Sequence, residues 1–428
     1  MKNPESSKVI GFDGWIQGAH HYQRLVDAFK NKGLDLTLIH LGSWGNDVGR
    51  PKEEWIGNLQ VRDISFYGRQ SFPEILELED PAAVIFLSTD TFLHRTFNRY
   101  CRHSNVATIN LFHAIRGVVD NDDGLPFSMD RIAYLKFVAS RLPRAFRHVW
   151  PAYSVALWKT NATFGEWVRF VGDIFRGALG IVPKVVADDA RTDKCCVYIN
   201  ADIDYAIKTF GFTRGDVIAV GNPDLIRFGL SSDMIGSFLK QPSATRFDVM
   251  YVDTGFIAGG LVFKSEYEFV KHIVDTRDML AQQGKHLLFK PHPSHSGTGV
   301  LSALANSGVE ICPNETFVSR LQRCCACIVE PSSIVVFLAF LGMPLFLAKY
   351  GALRGQSFGK LLSQYPRARP MYDIHDFNSL LAFEQAECDE EKTMRWIEQN
   401  AGPLPAAEMP DRVANVVHRL ISEKLQRE

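Results

Sequence analysis

The sequence has no uninterrupted apolar stretch of the roughly 18 to 20 residues that a membrane-spanning helix needs. It also lacks an excess of charge, because 47 lysine and arginine residues are balanced by 48 acidic ones. A balanced charge gives no overall basic field, so we expect no nucleic-acid partner. The polar N-terminal residues, Met1 to Lys8, predict no secretory signal, and we expect a cytoplasmic protein.

The eight cysteines lack the spacing of a disulfide or zinc framework. Two clusters stand out, the pair Cys195-Cys196 and the run Cys324-Cys325-Ala326-Cys327. Adjacent cysteines in strands are poor disulfide partners, and a buried cysteine behaves as a small hydrophobic residue. We therefore expect free thiols in a reducing compartment, with no metal site and no cofactor.

The length of 428 residues exceeds that of one ordinary core and favours two domains of about 200 residues each. A polar linker near Gln241 places the predicted division at 1–240 and 241–428, with C-terminal helices in the second part. In both parts short apolar strands alternate with helices, which is typical of parallel sheets covered on both faces. The predicted fold class is α/β, with two Rossmann-like, doubly wound domains facing a cleft.

A helical insert with a different composition interrupts the first domain at about 130–180. Trp150, Trp158 and Trp167 accompany eight lysine or arginine residues, which are opposed by three acidic residues. Tryptophan and arginine are favoured at lipid headgroups, so the insert predicts contact with an anionic membrane surface. That contact would place the protein peripherally on the inner face of the membrane. The alternative is a set of helices that pack on their own domain with basic outer faces.

Two motifs follow predicted strands in the second domain. Lys290-Pro291-His292-Pro293 follows the strand His286–Lys290, and Glu330-Pro331-Ser332-Ser333 opens an apolar helix that extends to Leu341. Open α/β sheets bind ligands at the ends of parallel strands, and helix N-termini bind anions. The flanking prolines hold His292 on a rigid corner. The pattern predicts a nucleotide-phosphate site, whereas a surface-turn histidine and a simple serine cap are the alternatives.

A third strand end in the second domain carries Asp253-Thr254-Gly255, where Thr254 either donates to a phosphate or belongs to a simple turn. If an acceptor hydroxyl attacks a sugar, the first domain must supply a base. The candidates are His113 at the end of a strand, the pair Asp122-Asp123 in a loop, and Asp13 at the end of the first strand.

The order Lys-Pro-His-Pro, then Glu-Pro-Ser-Ser, helix and Gly-x-Pro resembles bacterial GT-B glycosyltransferases that make surface polysaccharides with CMP-activated sugars. These are the sialyl- and polysialyltransferases and the β-Kdo transferases. The resemblance implies an acidic-motif base at Asp122-Asp123-Gly124, with His292-Pro293 and Ser332-Ser333 holding CMP. It is specific over residues 286–348, whereas the first domain matches in layout alone.

The resemblance implies an inverting, metal-independent transferase that takes a nucleotide-sugar donor and a glycan or lipid-linked acceptor. The Ser-Ser helix and Gly221-Asn222-Pro223 also resemble the CDP-glycerol glycerophosphotransferases of teichoic acid synthesis, in which His113 would be the base. A UDP-N-acetylglucosamine 2-epimerase type of enzyme and a non-catalytic sugar-nucleotide-binding protein complete the alternatives.

Overall fold

The computed structural model describes residues 7–45, 49–113, 115, 131–179, 186–223, 225, 232–239, 246–255, 262–295 and 299–426. These residues divide into two compact units. The first unit contains an eight-stranded sheet and the second a six-stranded sheet. Among the described residues, no helix has both the length and the apolar character needed to cross a membrane.

The first sheet is doubly wound around its opening strand. Its strands are β1 Ser7–Asp13, β2 Leu34–His40, β3 Glu53–Ile56, β4 Leu59–Asp63, β5 Ala83–Phe86, β6 Ala107–Leu111, β7 Lys194–Val197 and β8 Val217–Ala219. Their order is β3-β4-β2-β1-β5-β6-β7-β8, and all neighbours are parallel except the antiparallel pair β3 and β4. The chain therefore reverses its direction of strand addition between β1 and β5, where α/β sheets commonly bind ligands.

The helices that cover this sheet include a three-helix insert. They are α1 Ala19–Gln23, α2 Val26–Lys30, α3 Phe72–Glu79, α4 Phe92–His103, α5 Arg131–Arg144, α6 Trp150–Lys159, α7 Phe164–Ala178 and α8 Ala201–Phe210. A capping box between Thr163 and Glu166 starts α7. Ion pairs from Arg95 to Asp173 and from Arg99 to Glu166 then fix α7 to α4. The insert is therefore packed on its own domain through one face of α7.

The second sheet has the Rossmann strand order. Its strands are β9 Asp248–Val252, β10 His286–Lys290, β11 Glu310–Ile311, β12 Cys324–Val329, β13 Leu345–Ala348 and β14 Ala368–Met371. All neighbours are parallel in the order β11-β10-β9-β12-β13-β14. The point of reversal lies between β9 and β12. This order brings the carboxyl ends of β10, β9 and β12 side by side.

The helices of the second unit are α9 Glu266–Gln282, α10 Val300–Asn306, α11 Phe317–Leu321, α12 Ser333–Phe340, α13 Gly359–Ser363, α14 Phe377–Ala386 and α15 Glu390–Ala401. The cysteines of β12 are buried between the strands and these helices. All eight cysteines are free in the structure. The two doubly wound sheets confirm the predicted fold class.

The last helix differs from the predicted division of the chain. Helix α16, Met409–Leu425, belongs to the first unit rather than to the second. Its buried side chains, among them Val413, Val417 and Ile421, form an apolar stripe, and the helix packs against α2 and β6. The predicted division at residue 240 lies outside the described residues, and the second unit already includes residues from Asn222 onward.

Candidate functional site

The candidate site in the second unit begins with a fully buried carboxyl group. Glu330 follows β12, and its Oε1 accepts a hydrogen bond of 2.7 Å from the Tyr251 hydroxyl. Its Oε2 accepts from the Thr254 amide at 3.1 Å and from the Thr254 hydroxyl at 2.8 Å. Burial, reinforced by the charge of Asp253, raises the pKa of Glu330 to about 8. Both Thr254 donors are thus directed to Glu330, which joins the ends of β9 and β12.

A second carboxyl group, Asp253, joins the end of β9 to the His-Pro loop after β10. Its Oδ2 accepts the His292 amide at 2.9 Å and lies 2.8 Å from Nε2 of the buried His295. Its Oδ1 accepts the Gly255 amide at 2.8 Å. The His295 ring stacks on Phe269, with centroids 5.4 Å apart. Asp253 therefore fixes the position of the backbone at His292.

The His292 ring contacts Ser294 within the same turn. Nδ1 accepts the Ser294 amide at 3.2 Å and lies 2.9 Å from the Ser294 hydroxyl oxygen. Burial lowers the pKa of His292, and the negative charge of Asp253 opposes that effect. Pro293 begins a single turn of 3-10 helix, Pro293–His295, and its side chain is outside the described set.

Lys290, the last residue of β10, is buried at the same end of the sheet. Its Nζ donates to the Pro291 carbonyl at 3.1 Å and lies 5.6 Å from the centroid of the Phe317 ring. A buried ammonium group and a half-buried imidazole thus follow one strand, two residues apart. Both groups can donate hydrogen bonds to an anion.

Ser332 occupies the N-cap position of α12, whose remaining turns are buried. Its backbone is extended, with φ of −155° and ψ of 155°. Within the described part of the chain, its hydroxyl makes no capping hydrogen bond, so a side-chain cap by Ser332 is not formed. Ser333 is the first helical residue, and its side chain is outside the described set. The hydroxyl of Ser332 is therefore not committed to a helix cap.

In the first unit, Asp13 ends β1 at the point of reversal of the sheet. Burial raises the pKa of Asp13 to about 6, and the Trp15 amide approaches its Oδ1 at 3.4 Å. A Cβ atom on Gly18 would collide with the Asp13 carboxylate, so glycine permits the close approach of the segment before α1. A carboxyl group with this pKa titrates near neutral pH and suits proton transfer.

A histidine cluster lies at the same end of the first sheet. Nδ1 of His113, after β6, donates to the Leu87 carbonyl at 3.0 Å, so the neutral ring keeps its lone pair on Nε2. The His113 ring centroid is 5.8 Å from that of His21, and the His21 centroid is 3.9 Å from that of the tilted His20 ring. The Tyr198 hydroxyl lies 3.5 Å from His21 Nδ1. His20, His21 and Tyr198 were not predicted as site residues, although the Ala-His-His run after Asp13-Gly14 is a visible signal in the sequence.

The predicted acidic motif and the residues with a spacing that could hold a metal lie elsewhere in the chain. Asp122 and Asp123 lie outside the described residues. The sequence also contains Asp202-Ile203-Asp204, a spacing that can hold a divalent metal. Both aspartates lie in the first turn of α8, where Asp204 approaches Arg214 at 3.5 Å. Among the residues described, no group of three or more potential ligands converges in a way that would hold a metal ion.

The insert carries an apolar stripe on its solvent-facing side. Phe164, Val168, Val171, Phe175 and Leu179 recur every three or four residues, and Phe164 and Phe175 are 84% and 65% exposed. At 3.6 residues per turn, these side chains share one face of α7. This face of α7 is therefore apolar, and the choice between membrane contact and helices packed on their own domain stays a prediction.

The arginines of the insert differ in how exposed they are. Arg144 lies over the ring of Trp15, 4.9 Å from its centroid, and is half-buried. Arg141, Arg147 and Arg169 are exposed, and Arg169 lies beside the apolar stripe of α7. Among the described side chains of the insert, the exposed positive charge therefore includes these arginines and Lys159, whereas Arg144 is half-buried.

The comparisons with known proteins show the fold of the chain but assign it to no family. No protein-family model matches the chain, and no curated protein is significantly similar in sequence. The solved structure of CalG4, a calicheamicin glycosyltransferase, is similar over 99% of both chains with a TM-score of 0.51 and 12% identity. This similarity and the two doubly wound sheets show that the chain has the GT-B fold.

Two further solved structures are similar at a lower score. The wall teichoic acid polymerase TagF, as its H444N variant, has a TM-score of 0.49 and 12% identity, over 99% of this chain and 90% of that one. The UDP-N-acetylglucosamine 2-epimerase from Rickettsia bellii has a TM-score of 0.45 and 12% identity, over 99% of this chain and 96% of that one.

Proposed function

We propose that the protein is an inverting, metal-independent glycosyltransferase that moves a Kdo or sialic-acid-like sugar from a CMP-sugar to a cell-surface glycan or glycolipid. The observation that carries the proposal is the arrangement of Lys290, His292 and the N-terminus of α12 at the point of reversal of the second sheet. The resemblance of the His-Pro and Ser-Ser motifs to CMP-sugar transferases supports the choice of nucleotide.

Departure of CMP builds negative charge on its phosphate. In this proposal, Lys290 and His292 donate to the phosphate oxygens, while the first amides of α12 and the Ser332 hydroxyl complete the anion site. Glu330 and Thr254 act indirectly, since their hydrogen bonds to each other shape the end of the sheet. Such fixed donors stabilise the leaving group without reorganising during the reaction.

The first unit would supply the base that deprotonates the acceptor hydroxyl. The candidates are His113, whose neutral ring has its lone pair on Nε2, and Asp13, whose pKa of about 6 suits a base. Asp123 and Asp122 remain candidates from the resemblance. A base on one face and a leaving group on the other are what direct displacement with inversion requires.

A release assay separates this proposal from its alternatives. The protein is incubated with CMP-Kdo, CMP-sialic acid, CDP-glycerol or UDP-N-acetylglucosamine, with and without acceptor glycans, and the nucleotide products are quantified. We expect CMP release from a CMP-sugar, lost in His292→Ala and kept in His375→Ala, which changes an exposed histidine of the same unit. CMP release from CDP-glycerol alone would indicate the glycerophosphotransferase, and epimerised UDP-sugar the epimerase.

We also propose that α7 rests on the anionic surface of the membrane that carries the acceptor. An exposed apolar stripe with arginine beside it is the pattern of a helix lying in the headgroup region. The inner face of α7 is occupied by ion pairs to Arg95 and Arg99, so the stripe is not needed for packing within the domain. This position would make the protein peripheral on the cytoplasmic side.

A further inference from the structure

Ser294 makes two contacts with one nitrogen of His292. The Ser294 amide donates to Nδ1 at 3.2 Å, and the hydroxyl oxygen lies 2.9 Å from the same nitrogen. A ring nitrogen that accepts an amide N–H has its lone pair there and no proton of its own. The hydroxyl must then also donate, since Nδ1 has nothing to give. The neutral ring therefore carries its proton on Nε2.

The backbone around this pair is held by Asp253. Its Oδ2 accepts the His292 amide and lies within hydrogen-bond distance of His295 Nε2, so the start and the end of the turn share one carboxylate oxygen. His295 is buried and stacked on Phe269. The turn that carries His292 and Ser294 is therefore held in place by Asp253.

Gly255 provides the space in which the pair meets. It has φ of +77°, and a Cβ atom there would lie 2.6 Å from His292 Nδ1 and 2.6 Å from the Ser294 hydroxyl oxygen. Real Cβ atoms do not approach so closely, so the contact requires glycine at this position. Residues from the β9 loop and the β10 loop thus converge on one imidazole nitrogen.

We propose that Ser294 is a positioning residue that holds His292 in the Nε2–H tautomer, so that the neutral imidazole donates from Nε2 to a phosphate oxygen of the bound nucleotide. The proposal rests on the proposed function for the identity of the ligand. A neutral imidazole has one donor, and donation to a phosphate therefore depends on which nitrogen carries the proton.

Burial favours the neutral form of the His292 ring. The groups around His292 are the Asp253 carboxylate, His295 and Lys290, and burial of the ring outweighs the attraction of Asp253. The pKa of His292 consequently lies below its ordinary value, which favours the neutral ring. The bonds from Ser294 favour this neutral form, so loss of the hydroxyl should raise the pKa of His292.

The tautomer can be observed directly by NMR of ring-labelled histidine, without any ligand. Long-range proton–nitrogen correlations distinguish protonated from unprotonated ring nitrogens, and the His292 signals are assigned by their absence in His292→Gln. We expect wild type to show an unprotonated Nδ1. Ser294→Ala keeps the amide donor and loses the hydroxyl, so it should show a higher pKa and a minor fraction of the Nδ1–H tautomer, while Ser294→Thr should match wild type. Ser319→Ala, at an exposed serine of the same unit, is the control.

The role in binding is tested by calorimetric titration with CMP on wild type, Ser294→Ala, Ser294→Thr and Ser319→Ala. We expect Ser294→Ala to weaken binding about fivefold, the equivalent of one neutral hydrogen bond, and Ser294→Thr to restore it. A proton on Nδ1 in wild type would overturn the proposal. So would a Ser294→Ala protein whose tautomer, pKa and CMP affinity are all those of wild type, or a wild type that binds no CMP. If CMP binding depends on Ser294 but no CMP-sugar is turned over, the positioning role stands and the proposed reaction is wrong.

Discussion

Glu330 and Thr254 are joined by two hydrogen bonds, from the Thr254 amide at 3.1 Å and from its hydroxyl at 2.8 Å. The carboxyl group is fully buried, and the Tyr251 hydroxyl contacts its other oxygen. Because β9 and β12 are the strands between which the second sheet reverses, this pair fixes the part of the sheet on which the candidate phosphate site stands.

The first prediction concerns the pH dependence that Glu330 gives to stability. Its pKa is raised from 4.5 to about 8, so between these values the folded chain binds more protons than the unfolded one. Stability should therefore fall as pH rises, by at most about 1.4 kcal/mol per pH unit. The pKa of Asp13 is raised to about 6, so Asp13 also makes stability fall as pH rises, but at lower pH. The pKa of His272 is lowered from 6.5 to about 4, so His272 makes stability rise with pH in that lower range.

The measurement is urea unfolding at pH 6.5 and pH 8, compared between wild type and Glu330→Gln, because the other titrating groups contribute equally to both proteins. Glu330→Gln should flatten the loss of stability between these two values, because the amide does not titrate. An exposed control, Glu391→Gln, should keep the wild-type slope. Equal slopes in wild type and Glu330→Gln would show that the carboxyl group is already ionised at pH 6.5.

The second prediction separates capping from ligand binding at α12. Because the Ser332 hydroxyl makes no described cap bond, Ser332→Ala should change the free energy of unfolding by less than about 0.5 kcal/mol. The same change should weaken CMP binding. Ser265→Ala is the matched control, since that hydroxyl accepts the Glu268 amide at 3.2 Å and its loss should cost about 1 kcal/mol. A Ser332→Ala protein with lower stability and unaltered CMP affinity would assign the residue to capping.

The third prediction concerns the base. Replacing it should lower kcat with little change in CMP-sugar affinity, because the base acts on the acceptor. His113→Ala, Asp13→Asn and Asp123→Asn are compared in single-turnover and steady-state assays, with His418→Ala as an exposed control in the first unit. If Asp13 is the base, the acidic limb of the rate profile should lie near its pKa of about 6. Full kcat in all three variants would exclude these residues.

The fourth prediction concerns the outer face of α7. Wild type should bind vesicles that contain anionic lipid, more weakly as salt increases. Phe164→Ser with Phe175→Ser should weaken binding at least about tenfold, since two exposed rings no longer enter the headgroup region.

Two further proteins complete the vesicle experiment. Tyr267→Ser with Tyr372→Ser removes two exposed aromatic rings from the second unit and should bind as wild type does. Arg141→Glu with Arg147→Glu should reduce binding at low salt, whereas Arg144 is left unchanged because it packs on Trp15. The membrane proposal would be contradicted if wild type does not bind anionic vesicles at low salt. It would also be contradicted if the Phe164→Ser, Phe175→Ser double variant binds them as well as wild type does.

The second sheet could be predicted well, because its strands are continuous runs of apolar residues that are buried on both faces of the sheet. The predicted strand His286–Lys290 has the same bounds in the structure. The edge strands β3 and β14 were missed, since Glu53–Ile56 and Ala368–Met371 alternate little and carry charged residues. Strand ends were therefore predictable, and with them the position of the His-Pro and Ser-Ser motifs.

The contacts of the candidate site were not predictable, because they depend on side chains brought together across strands. Asp253 was seen as part of a turn, but its bonds to His292 and His295 cross from the β9 loop to the β10 loop. Ser332 has the sequence position of a cap without making the cap bond. The apolar stripe of α7 was not predicted, because basic residues lie between its members in the sequence.

The most direct test of the central claim is calorimetric titration of CMP into wild type, His292→Ala and the control His375→Ala, followed by turnover of the CMP-sugar that the release assay identifies. Loss of a donor to the leaving group should reduce turnover by about 10² or more in His292→Ala and weaken CMP binding, while the fold persists. The control should match wild type. Wild-type CMP affinity and wild-type turnover in His292→Ala would contradict the assignment of this strand end as the phosphate site.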